Sequence, residues 1–519
     1  MNGAHALLHS LVASGVDVCF ANPGTSEMHF VAALDGVPEM RAVLTLFEGV
    51  ATGAADGYGR MADRPAATLL HLGPGLGNGL ANLHNARRAG TPLVNVVGDH
   101  ATFHARYDAP LQSDIAAVAG SVSGWLRHTG SAAEVGADAA AAVAAARAGT
   151  IATLVLPADA SWSDGGSPSR PHPVPARAAA EPEAIKAAAD VLTSGDPCVL
   201  LIGGDATRAD GLAAANRIAA ATGARLLAET FPTRLERGAG VAPVNRLGYA
   251  AEQAVHQLRG AAHIVLVGAR SPVTFFAYPG KRGDLVPDGC AVHEVVVREG
   301  LATDALVDLA DLVAPGTSAT PAAAARPDLP TGELTVASAA AVVGALLPEG
   351  AIVVDEAITS GLGLPGATAG APRHDWLTLT GGAIGYGLPA ATGAAVACPD
   401  RPVWCLQADG SAMYTISALW THAREGLDVT TVVYNNAAYA ILRGELLAVG
   451  ASAPAGAGSR SRSLLDIGGP RLDFVALATG MGVPAERVAT AEALAAALTR
   501  AGREPGPHLI EAMVPPLVG

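Results

Sequence analysis

Short runs of β-branched and other apolar residues alternate with alanine-rich stretches of helical length along the whole chain. This alternation is typical of parallel sheets whose strands are connected by crossover helices. The runs predict strands at 16–20, 42–46, 66–72, 93–97, 151–156, 198–203, 225–228, 263–267, 352–355, 376–379, 403–407, 430–434 and 508–512. The pattern therefore predicts an α/β protein built from doubly wound parallel sheets.

Two segments rich in proline, alanine, glycine and serine interrupt this pattern, at 164–182 and at 314–330. A chain of 519 residues exceeds what one hydrophobic core supports, and both segments have the composition of linkers. We expect three doubly wound α/β domains, at 1–165, 183–315 and 335–519. Open parallel sheets bind ligands beyond the carboxyl ends of their strands, so functional residues are expected in the turns that follow strands.

The composition excludes several classes of protein. Half of the residues are apolar and 15% are charged, which suits a well-buried globular protein and not a disordered chain. The net charge is −14 and no basic run is present, so we expect no nucleic-acid partner. The apolar runs are too short for a membrane span and the first residues do not resemble a signal peptide. The five cysteines fit neither a disulfide framework nor a zinc site, which favours a reducing, cytoplasmic location.

Polar residues follow two predicted strands of the last third. Ala-Asp-Gly-Ser stands at 408–411 and Asn-Asn at 435–436, so that Asn436 lies 27 residues beyond Asp409. Magnesium that holds a diphosphate takes oxygen ligands in near-octahedral geometry, only a few of them from protein. The Asp409 carboxylate, the Asn436 amide oxygen and the backbone carbonyl of Ala438 can supply three. Each motif alone is more often an ordinary turn, but their joint spacing predicts a metal–diphosphate site.

Two further residues of the same segment suit phosphate binding. Gly410 allows the chain to approach a phosphate closely, and a helix that starts near Ser411 favours negative charge at its N-terminus. The segment resembles the thiamine diphosphate motif, in which Gly-Asp-Gly precedes Asn-Asn at a similar spacing. Ala408 stands in place of the first glycine of that motif, which leaves every expected ligand atom in position. The following run, Ser-Ala-Met-Tyr-Thr-Ile-Ser-Ala-Leu-Trp, is most similar to benzoylformate decarboxylase.

The general layout also resembles the acetolactate synthase large subunit. The resemblance implies pyrimidine-binding, central and diphosphate-binding domains in that order, with thiamine diphosphate and Mg²⁺ as cofactors. It implies that a small 2-oxo acid is decarboxylated through an enamine intermediate, after which an aldehyde is released or a second carbonyl is ligated. It also implies a homodimer or homotetramer, because the two halves of each site come from different subunits in this family.

Glu48 follows the predicted strand 42–46 and opens a helix, among the apolar neighbours Leu46, Phe47 and Val50. A glutamate at the start of a helix is usually a surface residue that the helix dipole favours. In the family that the chain resembles, a glutamate at this place hydrogen-bonds the pyrimidine N1′ of the cofactor and promotes ylid formation. A carboxylate buried beside an aromatic nitrogen would explain the apolar neighbours. The resemblance therefore implies that Glu48 is the activating carboxylate.

Two residues are candidates for substrate contact. His71 begins a glycine-rich turn, His-Leu-Gly-Pro-Gly-Leu-Gly-Asn, whose glycines do not fit the dinucleotide-binding spacing. Its position resembles that of an active-site histidine in benzoylformate decarboxylase, where an imidazole can donate a proton or hold the substrate carboxylate. Thr25 lies in Asn-Pro-Gly-Thr, which is similar to the Asn-Pro-Gly-Ser turn of the same enzyme. The alternatives are a core histidine and an ordinary Pro-Gly turn.

The segment 380–389, Thr-Gly-Gly-Ala-Ile-Gly-Tyr-Gly-Leu-Pro, resembles the part of the family that bends the cofactor. The resemblance implies that Ile384 wedges between the two rings and that the Gly382 carbonyl accepts a hydrogen bond from the 4′-amino group. An isoleucine among glycines can otherwise be a simple core residue. Cofactor contacts are also expected after Asn436, at Tyr439, Ala440 and Ile441, and the last of these is expected to narrow the substrate pocket.

The sequence departs from both relatives. Benzoylformate decarboxylase has a second active-site histidine in its central domain, but the segment 273–280 here contains none. Acetolactate synthase has a catalytic glutamine where this chain has Leu111, with Gln112 one residue later. The glycines at 203–204 are too weak a signal to predict FAD. A catalytically silent or regulatory paralogue that only binds the cofactor is the alternative function, and the presence of Glu48 argues against it.

Overall fold

The computed structural model describes residues 1–451 and 460–516, in which helices and strands alternate from end to end. Three separate sheets are present, and all but one of their strands run parallel to their neighbours. The predicted fold class, α/β with doubly wound parallel sheets, is confirmed. No helix among these described residues is both long and apolar enough to cross a lipid bilayer.

The first sheet has six parallel strands in the order β2-β1-β3-β4-β6-β5. Its strands are β1 Val18–Asn22, β2 Arg41–Leu44, β3 Ala66–Leu70, β4 Leu93–Asp99, β5 Trp125–His128 and β6 Ile151–Pro157. The helices of this part are α1 Gly3–Ala13, α2 Met28–Ala33, α3 Glu48–Ala62, α4 Leu72–Ala89, α5 Ile115–Gly120, α6 Ala132–Arg147 and α7 Ala158–Trp162. The order of the strands reverses between β1 and β3, which places the ligand crevice beyond their carboxyl ends.

The middle sheet has five parallel strands. The strands of the middle part are β7 Cys198–Ile202, β8 Arg225–Ala228, β9 Arg234–Arg237, β10 Asn245–Arg246, β11 His263–Val267 and β12 Ala291–Val296. Its helices are α8 Pro182–Leu192, α9 Ala209–Thr222, α10 Ala251–Leu258 and α11 Ala302–Val313. The sheet order is β10-β8-β7-β11-β12, so β9 does not belong to it.

The third sheet has seven strands in the order β17-β18-β16-β15-β13-β14-β9. Its strands are β13 Ile352–Glu356, β14 His374–Leu377, β15 Val403–Ala408, β16 Val429–Asn435, β17 Ala485–Val488, β18 His508–Met513 and the antiparallel β9. The helices are α12 Val336–Leu346, α13 Leu364–Ala367, α14 Gly387–Ala397, α15 Asp409–Ala412, α16 Ala418–Glu425, α17 Ala440–Ala448, α18 Arg460–Ser463, α19 Phe474–Gly480 and α20 Ala491–Ala501. The order reverses between β13 and β15, which defines a second crevice.

Every predicted strand has a counterpart within about two residues, but the sequence did not predict β5, β9, β10, β12 or β17. All five are at the edge of a sheet. An edge strand is covered by fewer neighbours, so it lacks the continuous apolar run by which interior parallel strands are recognised. The strands of each predicted domain pair among themselves apart from β9, and the domain boundaries themselves stay a prediction.

The first and third parts of the chain are packed together through α3 and α14. A Cβ atom added to Gly57 of α3 would lie 2.1 Å from the carbonyl oxygen of Ala390 in α14. A Cβ added to Gly393 of α14 would lie 1.8 Å from the carbonyl oxygen of Ala54 in α3. The two backbones are therefore in direct contact, and only glycine allows the helices to approach so closely.

Arg60 of α3 connects all three parts of the chain. Its Nε and one terminal nitrogen donate to the two carboxylate oxygens of Asp56, at 2.9 and 2.6 Å. The other terminal nitrogen donates to the carbonyl oxygens of Thr378 and Thr233, and the first also donates to Thr380 Oγ1. Arg60 is 2% exposed, and each of its five N–H groups has an acceptor.

Replacing Arg60 by lysine is expected to lower the free energy of unfolding by about 3 kcal/mol, because an ammonium cannot reach acceptors in so many directions. The midpoint of urea unfolding, followed by circular dichroism, measures the change. The control is Arg64→Lys at an ion pair with Asp17, where both side chains are about 40% exposed. That change should cost at most about 1 kcal/mol. Equal effects of the two substitutions would contradict the special role of Arg60.

Candidate active site

Three of the predicted residues follow strands β1, β2 and β3, which lie side by side in the first sheet. Thr25 begins a short 3₁₀ turn after β1, Glu48 is the first residue of α3 after β2, and His71 directly precedes α4 after β3. A Cβ atom added to Gly75 would lie 2.9 Å from Glu48 Oε1 and 3.4 Å from the Cβ of His71. The structure therefore brings Glu48 and His71 to the same sheet edge, with the glycine-rich turn between them.

Glu48 is buried, with 8% of the residue exposed. Its Oε2 accepts a hydrogen bond of 3.0 Å from Nδ2 of Asn78, a residue of α4 to which the sequence analysis gave no role. Its Oε1 accepts no hydrogen bond from any residue in 1–451 or 460–516 and faces the space that Gly75 leaves open. One carboxylate oxygen is thus anchored, and the other is available to a ligand.

His71 is paired with a second carboxylate. Its Nδ1 lies 2.8 Å from Oε2 of Glu27, and the same oxygen accepts the backbone N–H of Gly24 at 2.8 Å. Glu27 is 3% exposed, and burial raises the pKa of its carboxyl group while the charge of His71 acts in the opposite direction. The sequence analysis missed Glu27, although its position three residues after Gly24, at the start of a helical turn, is that of a capping-box glutamate. Thr25 is exposed beside this pair.

The residues at the other end of the predicted site follow β15 and β16, which are adjacent in the third sheet. Both oxygens of Asp409 accept backbone N–H groups: one accepts from Gly410 at 2.7 Å, and the other from Asn436 at 3.0 Å and from Ala437 at 2.7 Å. Asp409 is 2% exposed, and burial raises the pKa of its carboxyl group against the effect of these hydrogen bonds. The structure therefore joins the two halves of the predicted motif directly.

The turn after β16 has an unusual backbone. Ala437 has a φ of +57°, a conformation that costs energy for any residue with a side chain and that occurs preferentially at functional sites. The Oδ1 of Asn436 accepts the N–H of Ala438 at 3.0 Å, and the preceding Asn435 is fixed by a hydrogen bond of 2.7 Å to Glu511. The turn is thus held in a shape that brings the backbone N–H of Asn436 next to the Asp409 carboxylate.

The segment after β15 differs from the sequence-based expectation in the length of its helix. The helix expected near Ser411 is only the four-residue α15, which begins at Asp409. A Cβ added to Gly410 would lie 2.5 Å from the ring of Tyr439, so this glycine makes room for the tyrosine. Ser411 is buried, and its hydroxyl accepts a hydrogen bond of 2.6 Å from Gln407.

The loop between β14 and α14, which contains Gly382 and Ile384, is fixed by a buried carboxylate that the sequence analysis did not identify. Glu356, the last residue of β13, is 1% exposed and accepts the N–H groups of Gly385, Tyr386 and Gly387 at 2.8, 3.3 and 2.7 Å. Burial raises the pKa of its carboxyl group, and these hydrogen bonds oppose the rise. Glu356 also accepts from Gln407 at 2.9 Å, which links the loop to Ser411.

The same loop is held from the first part of the chain. Nδ2 of Asn85 donates to the carbonyl oxygen of Ala383 at 2.8 Å, and the N–H of Ala383 donates to Oδ1 of Asn85 at 3.2 Å. Asn82 donates to the carbonyl oxygen of Gly385 at 3.2 Å. Both asparagines are buried in α4. The loop is therefore held by hydrogen bonds from both parts of the chain, with Ile384 half-buried against the adjacent core.

The middle part of the chain contributes an aromatic group to this site. A Cβ added to Gly382, whose φ is +73°, would lie 2.4 Å from the Cζ of Phe275. Phe275 belongs to the segment in which the sequence analysis noted the missing histidine, and its ring is 5.2 Å from that of Tyr249. The hydroxyls of Tyr249 and Tyr278 both donate to Glu445 of α17, at 3.2 and 3.1 Å. These contacts attach the aromatic segment to the helix that begins with Ala440 and Ile441, directly after Tyr439.

The segment before α5 also reaches the first crevice. Leu111 is 39% exposed, whereas Oε1 of Gln112 and Oγ of Ser113 are buried with no hydrogen-bond partner among the described residues. A Cβ added to Gly73 would lie 1.8 Å from Ser113 Oγ. Two unpaired polar atoms next to the glycine-rich turn are typical of a ligand-binding position. Ser113 gave no signal in the sequence because an isolated serine in a loop is common.

The weak FAD signal lies at the end of β7. Asp205 is already engaged, since it pairs with Arg177 at 2.7 Å and accepts the N–H of Thr303 at 2.9 Å. A Cβ added to Gly203 would lie 2.5 Å from the carbonyl oxygen of Gly268. The absence of a side chain at Gly203 therefore allows the ends of β7 and β11 to approach each other closely. The expectation that FAD is not used stays a prediction.

Two family models match the chain. The model described as "Thiamine pyrophosphate enzyme, N-terminal TPP binding domain" matches residues 1–119, and the one described as "Thiamine pyrophosphate enzyme, C-terminal TPP binding domain" matches residues 363–512. These ranges contain both clusters of candidate residues. The fold and the two matched halves define a thiamine pyrophosphate-binding protein.

The chain is also similar over its whole length to individual proteins. It is 68% identical to "Putative acetolactate synthase large subunit IlvX" of Mycobacterium tuberculosis, over 100% of both chains. It is 30% identical to benzoylformate decarboxylase of Pseudomonas aeruginosa, over 96% of each. The solved structure of a 4-hydroxybenzoylformate decarboxylase from Rhodococcus jostii RHA1 is similar with a TM-score of 0.84 at 25% identity, over 99% of each chain. The chain therefore belongs to the thiamine pyrophosphate enzyme family, and it is of the acetolactate synthase and benzoylformate decarboxylase type.

Proposed function

We propose that the protein is a thiamine diphosphate- and Mg²⁺-dependent enzyme that decarboxylates a small 2-oxo acid and releases an aldehyde. The observation that carries this proposal is the state of Glu48. Its carboxylate is buried, anchored at one oxygen by Asn78 and open at the other. A paralogue that only bound the cofactor would have no need of a carboxylate prepared in this way.

The residues of the third sheet fit the diphosphate end of the cofactor. Thiamine diphosphate bound here would supply a nucleophilic carbon for the substrate carbonyl and an electron sink for the pair that CO₂ leaves behind. Asp409, Asn436 and the Ala438 carbonyl would hold Mg²⁺, since oxygen donors of this kind match its preference. Gly410 and Ser411 would lie along the diphosphate. The donor set supports this fit, because the three oxygens come from two turns that are already hydrogen-bonded to each other.

The remaining candidates surround the reactive part of the cofactor. Ile384 and the Gly382 carbonyl belong to a loop that is hydrogen-bonded to Glu356 and Asn85, and they would set the bent shape of the cofactor. Tyr439, Ala440 and Ile441 would cover it from the start of α17. Glu48 would activate the cofactor by exchanging a proton at its aminopyrimidine ring.

The substrate end favours aldehyde release over ligation. His71 offers a proton donor next to Glu48, and the exposed Thr25 offers a hydroxyl for the substrate carboxylate. Ligation needs polar groups that orient a second carbonyl. At the position of the acetolactate synthase glutamine this chain has the apolar Leu111, and Phe275 supplies no hydrogen-bonding group. Acyloin formation is therefore the less favoured outcome.

The purified protein, incubated with Mg²⁺, thiamine diphosphate and a panel of aliphatic and aromatic 2-oxo acids, tests the reaction. We expect CO₂ and the matching aldehyde from at least one acid. Acyloin as the main product would replace the proposal by a ligase of the acetolactate synthase type. If no acid yields CO₂, the protein is the silent or regulatory paralogue.

Glu48→Gln is expected to retain cofactor binding and to lower turnover by about 100-fold or more, because an amide cannot exchange the proton that a carboxylate does. Steady-state CO₂ release measures turnover, and calorimetry measures cofactor affinity. Glu134→Gln serves as the control, since Glu134 also lies in the first turn of a helix in the same part of the chain. Turnover within about twofold of the native enzyme would remove Glu48 from its assigned role.

Cofactor affinity is expected to depend strongly on Mg²⁺, because the diphosphate would otherwise face the Asp409 carboxylate without an intervening cation. Calorimetric titration with and without EDTA measures this dependence. Asp409→Ala should abolish saturable binding while the protein stays folded. Asp400→Ala is the matched control, as Asp400 lies in the exposed turn before the opposite end of the same strand. Tight binding that is unaffected by EDTA and by Asp409→Ala would be incompatible with the metal site.

We also propose that the enzyme is a homodimer or a dimer of dimers, with each site built from two subunits. Large apolar side chains are exposed beside both clusters: Leu46 at 51% near Glu48, and Tyr414 at 55% near Ser411. A second copy would cover them. Multi-angle light scattering of the active protein should give a mass of at least two chains, and an active monomer would contradict this assembly.

A further inference from the structure

His71 and Glu27 have a hydrogen bond whose direction can be assigned. Glu27 Oε2 lies 2.8 Å from Nδ1 of His71 and also accepts the N–H of Gly24. Oε1 of Glu27 is buried and has no hydrogen-bond partner among residues 1–451 and 460–516. An ionised carboxylate has no proton to donate, so Oε2 of ionised Glu27 accepts from both of these neighbours. The proton of the neutral imidazole is therefore on Nδ1, and Nε2 has a free electron pair.

Two glycines fit tightly around this pair. A Cβ atom added to Gly24 would lie 2.3 to 2.4 Å from the imidazole ring of His71. A Cβ added to Gly98, near the end of β4, would lie 1.6 Å from Glu27 Oε1. Backbone thus packs against the ring on one side and against the carboxylate on the other. The geometry of the pair is fixed by packing as well as by its hydrogen bond, which is what a functional group needs for precise orientation.

The backbone at His71 points to the same conclusion. Leu72, the first residue of α4, has a φ of +49°, which is unfavourable for a leucine. Strain of this kind persists only where the surrounding structure enforces it, and it is concentrated at functional sites. The imidazole is 23% exposed, although the carboxylate behind it is buried. The ring therefore lies between a buried carboxylate and the open side of the crevice.

Glu48, on the neighbouring α3, is a further titratable group near His71, across the space of Gly75. The aromatic segment around Phe275 contains one ionisable side chain in reach of α17, Tyr278, whose hydroxyl is bound to Glu445. The segment in which benzoylformate decarboxylase is expected to have a second histidine thus offers a tyrosine hydroxyl that is already bound to Glu445, and no imidazole. Proton delivery to the substrate then depends on His71.

We propose that Glu27 is a positioning residue, which holds the Nδ1–H of His71 and thereby directs Nε2 at the substrate as the proton donor of aldehyde release. The inference rests on the proposed decarboxylase function. In the step, the N–H bond at Nε2 of the imidazolium breaks and its electron pair returns to the ring. The carbon that has lost CO₂ supplies the pair of the new C–H bond. The neutral imidazole retains the Nδ1–H bonded to Glu27, and water restores the proton at Nε2.

The pairing has two consequences for the imidazolium. The carboxylate places a negative charge beside the ring, and the fixed Nδ1–H prevents the ring from presenting the wrong nitrogen. Replacement by glutamine keeps an acceptor but removes the charge, whereas alanine removes both. The two variants therefore separate the electrostatic effect of Glu27 from its effect on the tautomer.

Glu27→Gln is expected to lower kcat by roughly 10- to 100-fold with little change of KM, in line with the loss of a partner that orients a histidine. In Glu27→Ala the ¹⁵N shifts of labelled His71, assigned with His71→Asn, should show loss of the Nδ1–H tautomer. Cofactor affinity should stay unchanged in both variants.

Glu504→Gln is the matched control, because Glu504 also pairs with a histidine. Its partner is His508, the first residue of β18 in the third sheet, at 3.4 Å. Native kcat in both Glu27 variants would overturn the inference, and so would a native enzyme whose His71 is protonated at Nε2 when neutral. The ¹⁵N measurement on the native protein needs no turnover and does not depend on either variant folding. Absence of CO₂ from every 2-oxo acid would instead refute the proposed function.

Discussion

One buried arginine sets the arrangement of the three parts of the chain. Arg60 is held to Asp56 within α3 and donates its remaining hydrogens to the backbone of Thr233 and Thr378 and to the Thr380 hydroxyl. A guanidinium buried without acceptors would be very unfavourable, so these segments must converge for the protein to fold. Because α3 begins with Glu48, the same ion pair fixes the position of the proposed catalytic carboxylate.

A second physical theme is the use of buried carboxylates as acceptors for backbone N–H groups. Glu27, Glu356 and Asp409 each lie at the end of a strand or just beyond one, and each accepts at least one backbone N–H. Glu356 and Asp409 are satisfied in this way without a cationic partner among the described residues. The turns that carry the candidate ligands are thereby shaped before a cofactor or substrate arrives.

The sequence indicated the class of fold and the two clusters, because interior parallel strands are continuous apolar runs and the polar turns follow them directly. Asp409 and Asn436 could be paired from spacing alone, as adjacent parallel strands end at one edge. Glu356 could not be found in this way, since its role depends on a loop about 30 residues later that returns to the end of β13. Nor could Phe275, whose position over Gly382 follows from the packing of the middle part against the third.

The strand β9 has a consequence for synthesis of the protein. Its Arg234 pairs with Asp375 of β14, which lies 141 residues later in the chain. While the ribosome makes the intervening residues, β9 has no partner, and an unpaired strand is a template for non-native association. The strand β9 therefore cannot reach its native pairing until β14 has been made. The unpaired edge of β9 stays exposed until the last third of the chain emerges. The third sheet, and with it the native fold, is therefore completed late in synthesis.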